Sequence, residues 1–479
     1  MKDKKQIFNI IFVVLFFVIS VIPLIFFSDK QPLIGNENRA EKKDVDAYFS
    51  QNFGFRNNLV YAGNMLKKLA FKTSGQSDVI IGEDGWLFYA NALEDFLGTN
   101  VLSDIYIEKI TSIIRMMQDM AQDNGCEFAF FVAPNKMSVY GEYMPYYYKE
   151  SLAFGNYEKL YAQFVNEGVC TVNLKNILSY EKLKGTRLYH KLDSHWNNLG
   201  ASVAYENIMK TMGMEYTEYS KMNYSVKYSH SGDLLFMLLP QSTEKDEQFE
   251  FETDENFEYT SRFKGVDDMV ISTTNEKPVN DNTVTLFRDS FGNALYWFFA
   301  NDFAMLNAKR ELPYNMYKAV KESDVIVVEI VERNIVNLLK YTPIIVSKNI
   351  AEEFGDIIKD NNDIEKLKEN TSCINTETNI YMATSMTADG LLKMEISGLY
   401  DTAKMYIAYN DEKIYQLIPQ FDEGCYVLYL MDEDLTDMMD ILNDVNEGNI
   451  ALADKLYFIS MEDNGKIIYT TYTNVTLQD

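Results

Sequence analysis

The sequence predicts an α/β domain with a mainly parallel sheet flanked by helices. An N-terminal transmembrane helix precedes it and a small β-sandwich-like domain follows. Three observations carry this expectation. Between about residues 103 and 340, short apolar runs alternate with amphipathic helical segments, the pattern of a sheet whose strands are joined by helical crossovers. Residues 7–27, IFNIIFVVLFFVISVIPLIFF, are almost wholly apolar, and about 20 such residues are what a helix needs to cross a bilayer. Beyond residue 373 helical spacing gives way to short alternating runs split by turn residues, as in a sandwich.

The elements follow in order. Lys2, Lys4 and Lys5 precede the apolar run, so residues 1–29 read as a cytoplasmic tip and a single-span anchor, with the remainder extracytoplasmic. The run lacks the small-residue cleavage site of a signal peptide. Residues 30–354 form the α/β domain, with residues 30–75 as a polar, helical lead-in. VIIGEDGWLFYA (79–90) reads as strand, turn, strand around Asp84-Gly85. Ser103 opens a helix carrying Ile110, Ile113, Ile114, Met117 and Met120 on one face, and Asn124-Gly125 closes it. CEFAFFVAP (126–134) is a continuous apolar run, as expected of a strand buried on both faces. A helix in NYEKLYAQFVNEG, a strand in VCTVNL (169–174) and a helix over 197–213 follow. Residues 222–282 read as a β-rich insertion, then come the strand TVTLFR (283–288), a helix from Phe291, and the strand in SDVIVVEIVERNI (323–335). Residues 355–372 read as a linker, and 373–479 as the β-rich C-terminal domain.

Composition narrows the function. At 479 residues with 47% hydrophobic content, the chain is long enough for two or three packed domains. A net charge of −27 excludes nucleic-acid binding, which needs clustered Lys and Arg. The acidic run MDEDLTDMMD (431–440) lacks the alternating ligands and central Gly of a calcium loop and reads as solvated surface. The four cysteines form no C-x-x-C pair, which argues against a thiolate metal site. Cys126 and Cys170 are either disulfide neighbours or free thiols.

Histidine is rare: His190, His195 and His230 are the only three. His195 follows Asp193 by two residues in LYHKLDSHWNNLG, and in an extended segment both point to one side. This is either a local Asp–His dyad or a loop histidine beside Trp196. At the other end of the domain, TLFRDSFGNALYW places Ser290 between a strand and a helix start. There it serves either as a helix cap or as a nucleophile with the helix N-terminus beneath it.

Asp-Ser-His-Trp, followed later by Asp-Ser-Phe at a strand end, resembles the SGNH-hydrolase-like proteins of the alginate O-acetylation (AlgJ/AlgX) type, and most of all their relatives named for an Asp-His-His-Trp motif. VIIGEDGWLFY, VAPNKMSVYGEYMP, SGDLLFMLLP and DVIVVEIVERNI resemble further blocks of that family, in consistent order across roughly residues 35–340. The resemblance implies an SGNH-like sheet with permuted motif order, Ser290 as nucleophile, His195 as base and Asp193 as its orienting carboxylate. Ser194 stands in place of the motif's first histidine, and Arg288 where such blocks have Gly. Asn135 is a candidate oxyanion donor, and Lys136, Arg288 and Arg333 are candidate oxyanion or substrate-binding residues. His190 and His230 read as structural or rim residues.

The activity implied is O-acetylation of a cell-envelope or secreted polysaccharide. The acetyl group comes from a membrane-bound O-acyltransferase partner and passes through an acyl-serine, without metal or cofactor. An acetylesterase needs the same three residues. A non-catalytic glycan-binding protein is the third possibility. The C-terminal domain, outside the resemblance, either binds carbohydrate or serves packing alone.

Overall fold

The computed structural model describes residues 10–18, 21, 56–71, 73–151, 153–263, 265–352, 380–409, 413–431, 434–439, 456–461, 467–470 and 475–478. The expected membrane span, 7–27, lies largely outside these residues. Its described part, 10–18 and 21, is helical and exposed. Among the described residues no helix is long and apolar enough to cross a membrane. The expected linker, 355–372, also lies outside them.

Helix α1 (Arg56–Phe71) leads to a hairpin of β1 (Val79–Ile81) and β2 (Leu87–Tyr89). Its turn places Asp84 and Gly85 at φ 52° and 78°, the left-handed region that the Asp-Gly pair tolerates. After α2 (Leu93–Leu97) come α3 (Asp104–Asp123) and β3 (Glu127–Ala133), within one residue of the expected bounds. Four helices follow: α4 (Lys136–Tyr140), α5 (Asn156–Asn166), α6 (Leu174–Lys182) and α7 (Asn198–Met212). The expected strand at 169–174 does not form. Only one backbone bond, from Phe130 N–H to Cys170 O, ties this segment to β3, and the Gln118 side chain takes Cys170 N–H. Asn173 then caps α6 by accepting from Asn176 N–H. Cys126 and Cys170 are free thiols.

The insertion supplies a two-stranded ribbon, β4 (Tyr224–His230) with β5 (Asp246–Phe251), bracketing α8 (Asp233–Leu238). β6 (Phe257–Tyr259) and β7 (Val270–Asn275) join the main sheet. They are followed by β8 (Asn280–Phe287), α9 (Gly292–Asp302), β9 (Phe303–Lys309), α10 (Met316–Glu322), β10 (Val325–Val331) and α11 (Asn337–Lys340). The sheet order is β3-β10-β8-β9-β7-β6. β3, β10, β8 and β9 are parallel, while β7 and β6 form an antiparallel edge. One face is covered by α4, α6, α7 and α9, the other by α3, α5, α10 and α11, so the parallel strands are buried on both sides.

The C-terminal strands β11 (Ile380–Met386), β12 (Leu392–Ser397), β13 (Met405–Tyr409), β14 (Lys413–Pro419), β15 (Tyr426–Leu430), β16 (Leu456–Met461), β17 (Ile467–Thr470) and β18 (Val475–Gln478) form one ladder in the order β17-β16-β13-β14-β15-β12-β11-β18. The two halves of the expected sandwich are joined through a shared strand. β14 (Lys413–Pro419) pairs with β13 (Met405–Tyr409) along Lys413–Leu417, and with β15 (Tyr426–Leu430) only at Ile418 and Pro419. Ile418, Val427 and Tyr429 pack into the α3 face of the first domain. Lys109 of α3 reaches across to Asp401 at 2.6 Å and to Gln420 O at 3.2 Å. In the acidic run, Asp434 and Asp437 pair with Lys413.

Candidate active site

The carboxyl ends of parallel strands are where an α/β sheet binds ligands. Asn135 follows β3, Asp289 and Ser290 follow β8, and Arg333 follows β10. The segment 188–197 lies above them as a tight loop, closed by bonds from His190 N–H to His195 O and from Asn197 N–H to Leu188 O. The Lys136 ammonium sits inside this loop. It donates to the carbonyls of His190 (2.8 Å), Lys191 (3.1 Å) and Asp193 (2.6 Å). Burial pulls the Lys136 pKa down to about 7, against the pull of Asp193 and its acidic neighbours.

Asp193 and His195 are in direct contact. Asp193 Oδ1 accepts from His195 Nδ1 at 2.7 Å and from His195 N–H at 2.9 Å. Oδ2 accepts from His230 Nε2 at 3.0 Å and from Asp233 N–H at 2.9 Å. Burial opposes the Asp193 charge, but the hydrogen bonds from His195 and His230 outweigh it and hold the carboxyl well below the usual range. Burial likewise pushes the His195 pKa down, but the bond to and charge of Asp193, joined by Asp233, leave it raised above 6.5. With Nδ1 bound to a carboxylate, the proton of neutral His195 is fixed there and Nε2 is the basic nitrogen. Nε2 is buried and has no hydrogen-bond partner among the described residues.

The Ser290 corner is built against this loop. Trp196 Nε1 donates to Phe291 O at 2.9 Å, and the His195 and Phe291 rings lie 4.9 Å apart. Ser290 does not act as a side-chain cap. Phe291 N–H is taken by Asp289 Oδ1 and Gly292 N–H by Glu329 Oε2. Ser290 is half-buried, and its hydroxyl makes no hydrogen bond among the described residues, to His195 or otherwise. The hydroxyl is thus uncommitted one residue from a ring that touches the imidazole. Hydrogen bonds between nucleophile and base are commonly looser before substrate binds.

The remaining candidates differ in position. Arg333 lies at the site, 5.3 Å from the Tyr89 ring and 5.5 Å from that of Phe291, and donates to Asn135 Oδ1 at 3.0 Å. Asn135 is buried; its N–H goes to Glu332 at 2.8 Å and its amide nitrogen lies 3.4 Å from Asp95. Lys136 is enclosed by the loop carbonyls described above. Arg288 is buried and turned to the far side of the corner, donating to Asn293 Oδ1 and to the carbonyls of Val266 and Asp268.

Sequence reasoning missed Asp233. It accepts from Ser194 N–H and Oγ (2.7 and 2.6 Å) and stands 3.7 Å from His195 Nδ1. Gly232 permits this approach, because a Cβ there would meet Leu192 O at 2.2 Å. His230 was read as structural or rim, yet it contacts Asp193 directly and stacks on His190 at 3.7 Å. Asp193, His195 and Asp233 are close enough to share a cation. However, both oxygens of Asp193 already accept two hydrogen bonds, so the set reads as a hydrogen-bonded dyad rather than vacant ligands.

Residues 79–302, which include Asp193, His195 and Ser290, match the family model described as SGNH hydrolase-like domain, acetyltransferase AlgX. The chain is similar to the probable alginate O-acetylase AlgJ of Pseudomonas fluorescens, 22% identical over 172 residues, which is 36% of this chain. The match spans 42% of that relative's length. Among solved structures, the O-acetyltransferase domain of Pseudomonas putida AlgJ is 18% identical with a TM-score of 0.37, over 54% of this chain and 91% of that one. A DHHW family protein from Eubacterium siraeum is 16% identical with a TM-score of 0.40, over 55% and 93%. The chain therefore resembles the SGNH-hydrolase-like proteins of the alginate O-acetylation type.

Proposed function

We propose that this chain is a membrane-anchored, extracytoplasmic O-acetyltransferase acting on a cell-envelope or secreted polysaccharide through an acyl-serine at Ser290. The observation that carries the reading is the Asp193–His195 pair: its Nε2 is unpartnered, and its ring packs on Phe291, the residue next to Ser290.

In this mechanism His195 Nε2 takes the Ser290 hydroxyl proton as Oγ attacks the acetyl carbonyl. The imidazolium that forms is stabilised by Asp193. The oxyanion is met by Ser290 N–H, with Asn135 or Arg333 as the second donor; each such donor is worth about 3 kcal/mol. The leaving group departs with the proton from His195. A sugar hydroxyl then attacks the acyl-serine, His195 serving again as base, and Ser290 is regenerated.

The likeness to an alginate O-acetylase supports the polysaccharide acceptor. The apolar run at 7–27 supports the anchor, with the active site on the outer side and the acetyl group handed over by a membrane-bound O-acyltransferase. Hydrolysis, with water in place of the sugar, is the second reading, because the half-exposed corner and the same dyad serve it equally.

The test is incubation of the full chain in detergent with 4-nitrophenyl acetate and a neutral oligosaccharide. Acetylated sugar that disappears in Ser290→Ala is the expected result. Acetate release indifferent to sugar makes the chain an esterase. Turnover no different from Ser290→Ala leaves a glycan-binding protein.

A further inference from the structure

The amides of residues 288–294 can be accounted for one by one. Arg288 N–H donates to Lys309 O, Asn293 N–H to Ser290 O and Ala294 N–H to Phe291 O. Phe291 N–H goes to Asp289 Oδ1 at 2.9 Å. The amides of Asp289 and Gly292 both go to Glu329 Oε2, each at 3.0 Å. Among the described residues only the Ser290 N–H has no acceptor.

Glu329 makes much of this selection. It interrupts an otherwise apolar strand, VIVVEIV, and is fully buried. β8 pairs with β10 up to Phe287 opposite Val328, so the next residue of β10 sits where β8 leaves the sheet and the corner begins. Glu329 Oε1 is buried and accepts no hydrogen bond among the described residues. A carboxylate left so is costly, and a proton on Oε1 removes the cost. Asp289 is the neighbouring side chain that a protonated Glu329 carboxyl would bond to. Burial first, then the Asp289 charge, push the Glu329 carboxyl well above its ordinary pKa, with Arg288 opposing. The carboxyl acts in turn on Arg288 and on Tyr314, before α10.

We propose that Glu329 is a positioning residue for acyl transfer: as a neutral acid it gathers the Asp289 and Gly292 amides onto one oxygen, leaving Ser290 N–H as the one backbone amide of the corner, among the described residues, still free to meet an oxyanion. This rests on Ser290 being the nucleophile. Asp289 completes the arrangement by tying the corner to β10 and the turn after it, its Oδ2 accepting from Val331 N–H at 2.9 Å and Asn334 Nδ2 at 3.3 Å.

The experiment compares Glu329→Leu, Glu329→Gln and Ser290→Ala in the full chain, reading kcat and KM for 4-nitrophenyl acetate from about pH 5 to 9. Leu cannot accept the two amides. It is expected to lower kcat on the order of 10²-fold, the scale of a lost oxyanion donor, with KM little changed. Gln accepts both amides through Oε1 and donates to Asp289 through Nε2. It is expected to recover kcat to within about tenfold of wild type, with a superimposable pH profile. If Glu329→Leu does not fold, Glu329→Gln decides alone. Equal loss in Gln and Leu, wild-type kcat in Leu, or a displaced pH profile in Gln would overturn the proposal. Turnover persisting in Ser290→Ala would overturn the reading of the site itself, and this inference with it. Loss in both Ser290→Ala and Glu329→Gln would overturn the inference alone.

Discussion

Asp193→Asn replaces one oxygen by an amide nitrogen and would ordinarily count as conservative. Here it is not, because each Asp193 oxygen receives one side-chain and one backbone donor. If the new NH2 faces His195, it opposes His195 N–H and forces the imidazole to accept at Nδ1, putting the proton on Nε2, where the base is needed. If it faces the other way, it opposes Asp233 N–H and forces the same change on His230. Either orientation strands a buried backbone N–H, at about 1–3 kcal/mol. The expected result is unfolding at lower denaturant by that amount, and kcat/KM lowered on the order of 10²- to 10⁴-fold, the range of general-base catalysis. The pH profile carries the sign. The base must be neutral, so activity falls as pH drops through the His195 pKa, which Asp193 helps to hold above 6.5. Residual activity in the variant should therefore extend to lower pH than in wild type. The assay is 4-nitrophenyl acetate turnover across pH, beside urea unfolding. A variant within about threefold of wild-type kcat/KM, with an unmoved acid limb, would refute the dyad.

Arg333→Met should move the acid limb the opposite way: the guanidinium opposes protonation of His195, so removing it lets the imidazole hold its proton to higher pH, as kcat/KM profiles would register. Lys136→Met removes three hydrogen bonds to the loop, together about 2–4 kcal/mol. Because the folded-state Lys136 pKa is lowered from 10.5 to about 7, the unfolded chain binds the extra proton between those values, and wild-type stability rises with pH across that window. The variant lacks this rise, so its deficit in urea unfolding should be larger at high pH than near pH 6; equal deficits would contradict the buried, half-neutral amine. Lys109→Met leaves the partly exposed Asp401 carboxylate with Gly424 N–H as its remaining donor where the C-terminal sheet meets α3, and should cost about 1–3 kcal/mol there and speed proteolytic release of that sheet, with kcat unchanged.

Strands β3, β8 and β10 of the parallel sheet were legible because each announces itself locally, through an apolar run set between segments of 3.6-residue periodicity, whereas β9, FAMLNAK, runs on directly from α9 with no turn signal between them and was not expected. The Asp193–His195 contact was legible for the same reason, since two residues separate the pair. Asp233 and His230 were not, because they reach Asp193 from 40 and 37 positions away. Glu329 did leave a signal: a lone acid inside Val-Ile-Val-Val-Glu-Ile-Val has no apolar reason to be there. The misread strand at 169–174 left one too. Asn173 ahead of Leu174 is a helix-start signature, overruled by the apolar residues before it. Ser290 was ambiguous in sequence because cap and nucleophile share a location. The structure separates the roles by assigning the capping to Asp289 and Glu329.

The account turns on whether Ser290 carries the acyl group. Rapid quenching of the chain with 4-nitrophenyl acetate, then peptide mass analysis, measures this directly. The prediction is one acetyl group on the peptide containing Ser290, absent in Ser290→Ala and formed far more slowly in His195→Ala. Undiminished turnover with that peptide unmodified, or an acetyl group that persists on it in Ser290→Ala, would contradict the account.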